Sequence, residues 1–156
     1  MTPAIAAARK AGIPHQVLEY RHDPGAESYG LEAAEALGID PATVFKTLVV
    51  ADAAGRSWAV GLVPVDRQLD LKAMAAALGM RKVEMAQAAD AERLTGYVVG
   101  GISPLGQRRR LAMVVDDAML GLAAVHVSAG RRGLEIVLAP ADLLALTGAR
   151  AASIAR

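Results

Sequence analysis

Apolar positions along the chain fall into short blocks of two periods, divided by glycine and proline. Spacings of three and four predict helix, whereas alternation or a short continuous apolar run predicts strand. Thr2-Pro3 opens the first helical block as an N-cap with a first-turn proline, and Gly12 closes it, predicting a helix over Ala4–Ala11. Ile13-Pro14 breaks the pattern; Gln16–Tyr20 alternates as a strand before the turn formers His22-Asp23-Pro24-Gly25. The loop so defined carries Tyr20 at one end and Tyr29 at the other. Leu31–Leu37 is predicted helical with Gly38 as its stop, and Asp40-Pro41 starts one more turn that runs to Phe45. Lys46 therefore falls where a helix gives way to a strand. Thr47–Ala51 and Ser57–Val63 flank the turn Asp52–Arg56 and form a hairpin.

Asp70 caps a helix over Leu71–Leu78 whose stripe Leu71, Met74, Ala75 and Leu78 faces a core. Lys82–Met85 is a short strand and Ala88–Leu94 a helix ended by Gly96. Tyr97–Val99, apolar and strand-like, then runs into Gly100–Gly106, a segment too rich in glycine and proline for regular structure. Leu111–Val115, Ala124–Ser128 and Leu134–Leu138 are further strands, and Pro140 opens a closing helix that ends at Gly148. Strands lie in hairpin-like pairs without strict alternation with helices. The expected fold is a single mixed α+β domain over residues 1–156, with a curved, mostly antiparallel sheet flanked by helices.

Composition narrows the chemistry. With 156 residues, 54% of them hydrophobic, the chain can bury a core. Lys and Arg number 17 against 16 Asp and Glu, a net charge of +1, so there is no excess of the kind that tracks along duplex nucleic acid. The absence of cysteine removes disulfides, thiolate nucleophiles and Cys-ligated zinc. No apolar run has the length of a membrane span, and Arg9 and Lys10 follow the first apolar run, the reverse of a secretory signal. A cytoplasmic protein is expected.

His15, His22 and His126 lack zinc-ligand spacing, and neither a nucleophile-elbow serine nor a phosphate-loop motif is present. What remains can grip an anion or polarise a carbonyl. Lys46 is either an ordinary strand-end lysine or an ammonium directed into a pocket. Gly100–Gly106 offers amides that a substrate can approach closely, or is only a tight turn. Ser128-Ala129-Gly130 is a second such segment, with Arg131 and Arg132 beside it as candidate phosphate contacts. Arg108-Arg109-Arg110 is a solvated face or meets a phosphate-bearing single-stranded end. Tyr20 and Tyr29 can stack on a base or serve the core.

Lys46-Thr47-Leu48 after Val44-Phe45, the Pro64–Leu71 segment, Lys82-Val83-Glu84-Met85, Thr95-Gly96-Tyr97, Gly100–Gln107, Val127-Ser128 and Arg132-Gly133-Leu134 together resemble the YbaK/EbsC family of bacterial aminoacyl-tRNA deacylases. That family is similar to the editing domain inserted in bacterial prolyl-tRNA synthetases, and the shared Gly-x-x-x-Pro loop corresponds to Gly100, Gly101, Ile102, Ser103 and Pro104. The resemblance implies a freestanding editor that hydrolyses Cys-tRNA(Pro), meets the acceptor end of tRNA(Pro), works beside prolyl-tRNA synthetase and needs no metal or other cofactor. It implies Lys46 as the catalytic-site lysine. Tyr20, Tyr29, Thr47, the glycine loop, Ser128, Ala129, Gly130 and Glu135 are implied to bind substrate. Tyr29 stands where the family often has Phe, Ala129 where Gly is common and Glu135 where Asp is usual. The implied mechanism uses the substrate: the cysteinyl thiol attacks its own ester carbonyl. A water-using deacylase of another aminoacyl-tRNA, such as Ala-tRNA(Pro), and a non-catalytic synthetase- or tRNA-binding module are the alternatives.

Overall fold

A computed structural model describes residues 1–26 and 28–156. Five helices, α1 (Pro3–Ala11), α2 (Tyr29–Leu37), α3 (Leu71–Leu78), α4 (Ala88–Thr95) and α5 (Pro140–Thr147), are found among the described residues. The strands are β1 (His15–Glu19), β2 (Phe45–Asp52), β3 (Trp58–Pro64), β4 (Val83–Met85), β5 (Ala112–Asp116), β6 (Val125–Arg131), β7 (Leu134–Leu138) and β8 (Arg150–Ala152). Helix starts follow from their caps: the side chains of Thr2, Ser28 and Asp70 accept the N–H groups of Ile5, Leu31 and Ala73.

The α+β class and the mostly antiparallel pairing hold. The strands divide between two sheets, ordered β1-β7-β6 and β4-β2-β3-β5-β8. An isolated parallel bridge between Val44 and His126 joins them. β3–β5 and β5–β8 are parallel pairs, which the hairpin-like spacing did not foretell. The apolar runs of β3 and β5 are buried on both faces, as is usual for parallel strands, and show no alternation that would reveal direction. Tyr97–Val99 is not a strand. The Tyr97 hydroxyl donates to the Leu105 carbonyl at 2.6 Å, and Gly101 N–H donates to the Val98 carbonyl at 2.8 Å, closing a turn. β8 was also not anticipated, since Arg-Ala-Ala carries no period.

One face of the larger sheet, with Phe45, Val49, Val60, Leu62, Met113 and Val115, packs in a core with α1, α4, α5 and the inner face of the smaller sheet. The opposite face, with Val50, Ala59, Val63 and Val114, meets Met74 and Ala75 of α3 and Ile154 near the C-terminus. Asp116 holds that last segment in place. Its carboxylate is 2% exposed and accepts the N–H groups of Ala118, Ile154 and Ala155 at 3.1, 3.0 and 2.9 Å. Asp116→Ala strands three amides beside a new void, so it is expected to cost about 3 kcal/mol, seen as a lower urea midpoint at unchanged slope.

Candidate active site

β4 pairs with β2 only over Val50–Asp52, and the Ala86 amide then reaches the Val49 carbonyl at 3.0 Å. Beyond that point, among the described residues, no ladder continues along the outer edge of β2, and only the isolated bridge of Val44 to His126 of β6 meets that side. A cleft of about 430 Å³ opens there, lined from both faces of the strand by Phe45, Lys46, Thr47, Leu48 and Val49. α2 contributes Tyr29, Gly30 and Ala33, and α4 contributes Ala88 and Ala91. These residues are mostly small, which leaves the space open. The Val44–His126 bridge brings the second sheet to the same place: two residues further along the two strands stand Lys46 and Ser128, and Ser128 lies opposite Glu135 in the β6–β7 ladder.

Of the residues singled out in the sequence, Tyr20, Tyr29, Lys46, Thr47, Gly100, Ile102, Ser128 and Glu135 line this cleft. Among the described residues Lys46 is its one cationic and Glu135 its one acidic lining side chain. Partial burial lowers the Lys46 pKa, with Asp66 acting in the opposite sense. Burial alone pushes the Glu135 carboxyl up to about 8; the group is 5% exposed. Burial also raises the Tyr20 phenol, and Glu135 and Glu32 add to that direction. The Thr47 hydroxyl is buried with no hydrogen-bond partner among the described residues, so a polar ligand atom entering the cleft would satisfy it. The Ser128 hydroxyl oxygen accepts the Gly130 N–H at 3.2 Å.

Gly101, Ser103, Pro104, Ala129 and Gly130 do not line the cleft. Gly101 packs on the β6–β7 turn so closely that a Cβ there would lie 2.7 Å from the Arg131 Cα. Ser103 is buried, accepting the Leu105 N–H through its hydroxyl, and Pro104 faces a separate cavity of about 230 Å³. Ala129 points into the core on the opposite strand face from Ser128, and Gly130 lies against Tyr97 and Thr2. These five form the scaffold behind the wall. Arg108–Arg110 also stands away from the cleft. The Arg108 and Arg109 amides donate to the Thr95 and Leu94 carbonyls at the end of α4, and the guanidinium groups of Arg108 and Arg110 lie beside Gly96 and Gly148, where a cation complements the helix C-terminus. Arg131 pairs with Glu19 at 3.6 Å, with both side chains exposed.

A family model described as an aminoacyl-tRNA editing domain matches residues 23–146. The chain belongs to the aminoacyl-tRNA editing domain family. It is 37% identical to a protein of Enterococcus faecalis designated as a candidate Cys-tRNA(Pro)/Cys-tRNA(Cys) deacylase, EbsC, over 98% of this chain and 92% of that one. It is 29% identical to a proline–tRNA ligase of Trichlorobacter lovleyi over 78% of this chain and 21% of the ligase. A crystal structure described as a candidate trans-editing enzyme for prolyl tRNA synthetase superposes with a TM-score of 0.85 at 28% identity, covering 99% of this chain and 95% of that one.

The editing-domain cleft also uses residues the sequence did not single out as site residues, among them Gly30, Ala33, Val65, Met85, Ala86, Ala91 and Val99. Small residues on helices read as packing positions, and only the open edge of β2 turns them into cleft wall.

Two substitutions test this geometry. Gly100 has φ 91°, and a Cβ would meet Arg132 Nε at 2.6 Å and Tyr29 Cδ2 at 2.9 Å. Gly100→Ala is therefore expected to lower the unfolding free energy by about 1–3 kcal/mol and to displace Tyr29, measured by denaturation and by tyrosine fluorescence. For Glu135 the sign follows from tighter proton binding in the folded state. Stability is fully present below the ordinary value of 4.5 and declines as pH rises towards about 8. Glu135→Gln stays neutral, so its stability is expected to fall less than wild type between about pH 5 and 9 in urea titrations.

Proposed function

We propose that this chain is a freestanding deacylase that clears cysteine from tRNA(Pro) in the cytoplasm, working beside prolyl-tRNA synthetase. The observation that carries the reading is the convergence of Lys46, Thr47, Tyr20, Tyr29, Gly100, Ser128 and Glu135 on one cleft, in a chain with 37% identity to the EbsC protein. An aminoacyl ester at a tRNA end is cationic at its amino group and anionic at its phosphate. Lys46 lines the cleft as the cation for the phosphate, and the buried Glu135 carboxyl offers a hydrogen-bonding group to the aminoacyl part. A synthetase that binds proline discriminates poorly against a side chain of similar size, so a second site that sorts by another property is needed.

Among the described residues no cleft serine is hydrogen-bonded to a histidine: Ser128 is engaged with Gly130, and Ser28 accepts the Leu31 N–H at the start of α2. The family resemblance supplies the nucleophile of this reading, the substrate's own thiol, with water as the alternative that the test below separates. The thiol sulfur attacks the ester carbonyl carbon and an S–C bond forms. The C–O bond to the ribose breaks, and the thiol proton ends on the departing ribose hydroxyl. The small thiolactone that results is later opened by water. Holding thiol and carbonyl in an attacking pose makes the reaction intramolecular, and the protein supplies orientation and donors for the oxyanion. Lys46, at the mouth of β2, holds the phosphate or ribose of the terminal nucleotide, with Tyr20 and Tyr29 beside it.

The test is a deacylation panel of tRNA(Pro) carrying cysteine, serine or alanine. Cysteine is expected to be released far faster than the other two, and equal rates would eliminate the thiol mechanism in favour of water. Lys46→Ala is expected to lower kcat/KM for the cysteinyl ester by about 10- to 100-fold, the range for losing one charge-assisted hydrogen bond, with an unchanged circular dichroism spectrum. A chain with no turnover on any ester would be a binding module only.

A further inference from the structure

Val98, Val99, Gly100 and Gly101 form a four-residue turn closed by the Gly101 N–H on the Val98 carbonyl at 2.8 Å. Gly100, at the third position, has φ 91°. A positive angle there belongs to a type II turn, which differs from type I by a flip of the central peptide, here Val99–Gly100. Glycine tolerates both forms, so something else must choose between them. The flip matters because C=O and N–H point to opposite sides of a trans peptide, and the chain has no cis bonds among the described residues. Turning the Val99 carbonyl one way turns the Gly100 N–H the other.

Arg132, in the β6–β7 turn, grips that carbonyl. Its Nε donates to the Val99 carbonyl at 3.0 Å and its Nη2 donates to the same oxygen. The guanidinium also lies 4.5 Å from the centre of the Tyr29 ring. A planar guanidinium can stack on a ring and donate two in-plane N–H groups at once, which an ammonium cannot. The Gly100 N–H, facing away from Arg132, has no hydrogen-bond partner among the described residues, and Gly100 lines the cleft.

We propose that Arg132 is a positioning residue: it locks the Val99–Gly100 peptide so that the Gly100 N–H is presented to the cleft as a donor for the oxyanion that develops during ester cleavage. The proposal rests on the deacylase reading above. A charge-assisted bond to the carbonyl also polarises the peptide and strengthens its N–H as a donor. Arg132 thus acts through Gly100 without touching the substrate.

The experiment compares wild type, Arg132→Ala and Arg132→Lys in steady-state hydrolysis of cysteine-charged tRNA(Pro), together with the 15N–1H amide spectrum of each. Removing one oxyanion donor outright costs about 10²–10³ in kcat, and misorienting it is expected to cost about 10- to 100-fold with KM changed less than about threefold. Lysine is expected to recover only part of the loss, and millimolar guanidinium ion is expected to raise kcat of Arg132→Ala. The Gly100 and Gly101 resonances should shift or broaden in Arg132→Ala while buried amides such as that of Ile136 hold. A rise in KM at unchanged kcat would make Arg132 a substrate-phosphate contact and overturn the proposal. Wild-type kcat with an unmoved Gly100 resonance would overturn it equally. If wild type hydrolysed no ester, the deacylase reading would fall by itself; the oxyanion role would fall with it, leaving the Gly100 resonance to report on the peptide lock.

Discussion

The constraint behind the site is the brevity of β4. It covers Val50–Asp52 and stops, leaving Phe45–Leu48 of β2 without a ladder partner on that edge among the described residues. An uncovered edge ordinarily invites another strand, and proteins mask such edges with helices, loops or charge. Here α2, the start of α4 and the turn at Gly100 stand around the edge at a distance, faced with small side chains, and the masking is incomplete by about 430 Å³. Lys46 sits on that edge, where half-burial depresses its pKa without enclosing it. The Val44–His126 bridge adds the second requirement, because it brings the Ser128 and Glu135 row of the smaller sheet alongside the same edge.

Glu135 and Lys46 line one cleft yet are electrically separate. The carboxylate that acts on Lys46 is Asp66, and the Glu135 carboxyl is shifted by burial alone. Lys46 therefore remains available to a phosphate of the ligand, while the Glu135 carboxyl, kept protonated near neutral pH by its burial, offers a hydrogen-bonding group at the other side of the cleft. A chain of net charge +1 can therefore orient a tRNA end without attracting tRNA strongly as a whole.

The elements were legible where local chemistry determines them. Asp70 and Gly79 bracket α3 at Leu71–Leu78, and β7 spans Leu134–Leu138, both as the patterning predicted. Long-range order was not legible. The parallel neighbours of β5 are chosen by burial on both faces, which the run Met113–Val115 does not encode as direction. The site divides in the same way. Lys46 and Gly100 follow from a helix-to-strand junction and a glycine turn, whereas Ser103 and Ala129 belong to the same motifs and face inward. Strand alternation explains Ala129, since a residue next to Ser128 must take the opposite face. Of the two readings of the Arg108–Arg110 run, a solvated face or a phosphate contact, the exposed placement of all three residues away from the cleft favours the first. The Arg108 and Arg110 guanidinium groups lie beside Gly96 and Gly148 at the ends of α4 and α5.

A reaction in which the substrate brings the nucleophile changes what a selective cleft must do. Selection by shape would require walls fitted to a cysteine side chain. The walls of this cleft include the small residues Gly30, Ala33, Ala88 and Ala91, and a wall that admits cysteine cannot reject the no larger serine or alanine by steric exclusion. Removing or adding one small group changes binding in an apolar pocket by only about 1–3 kcal/mol. Under the proposed mechanism the sorting is done by reactivity: serine and alanine carry no thiol, and however they bind they lack the attacking atom. The polypeptide's share is then confined to the pose of the ester and the donors around its carbonyl oxygen. That share falls on backbone amides, which have no conformational freedom of their own beyond the peptide flip. An exposed arginine that fixes one such flip thus bears on the chemistry more directly than several of the residues that line the cavity.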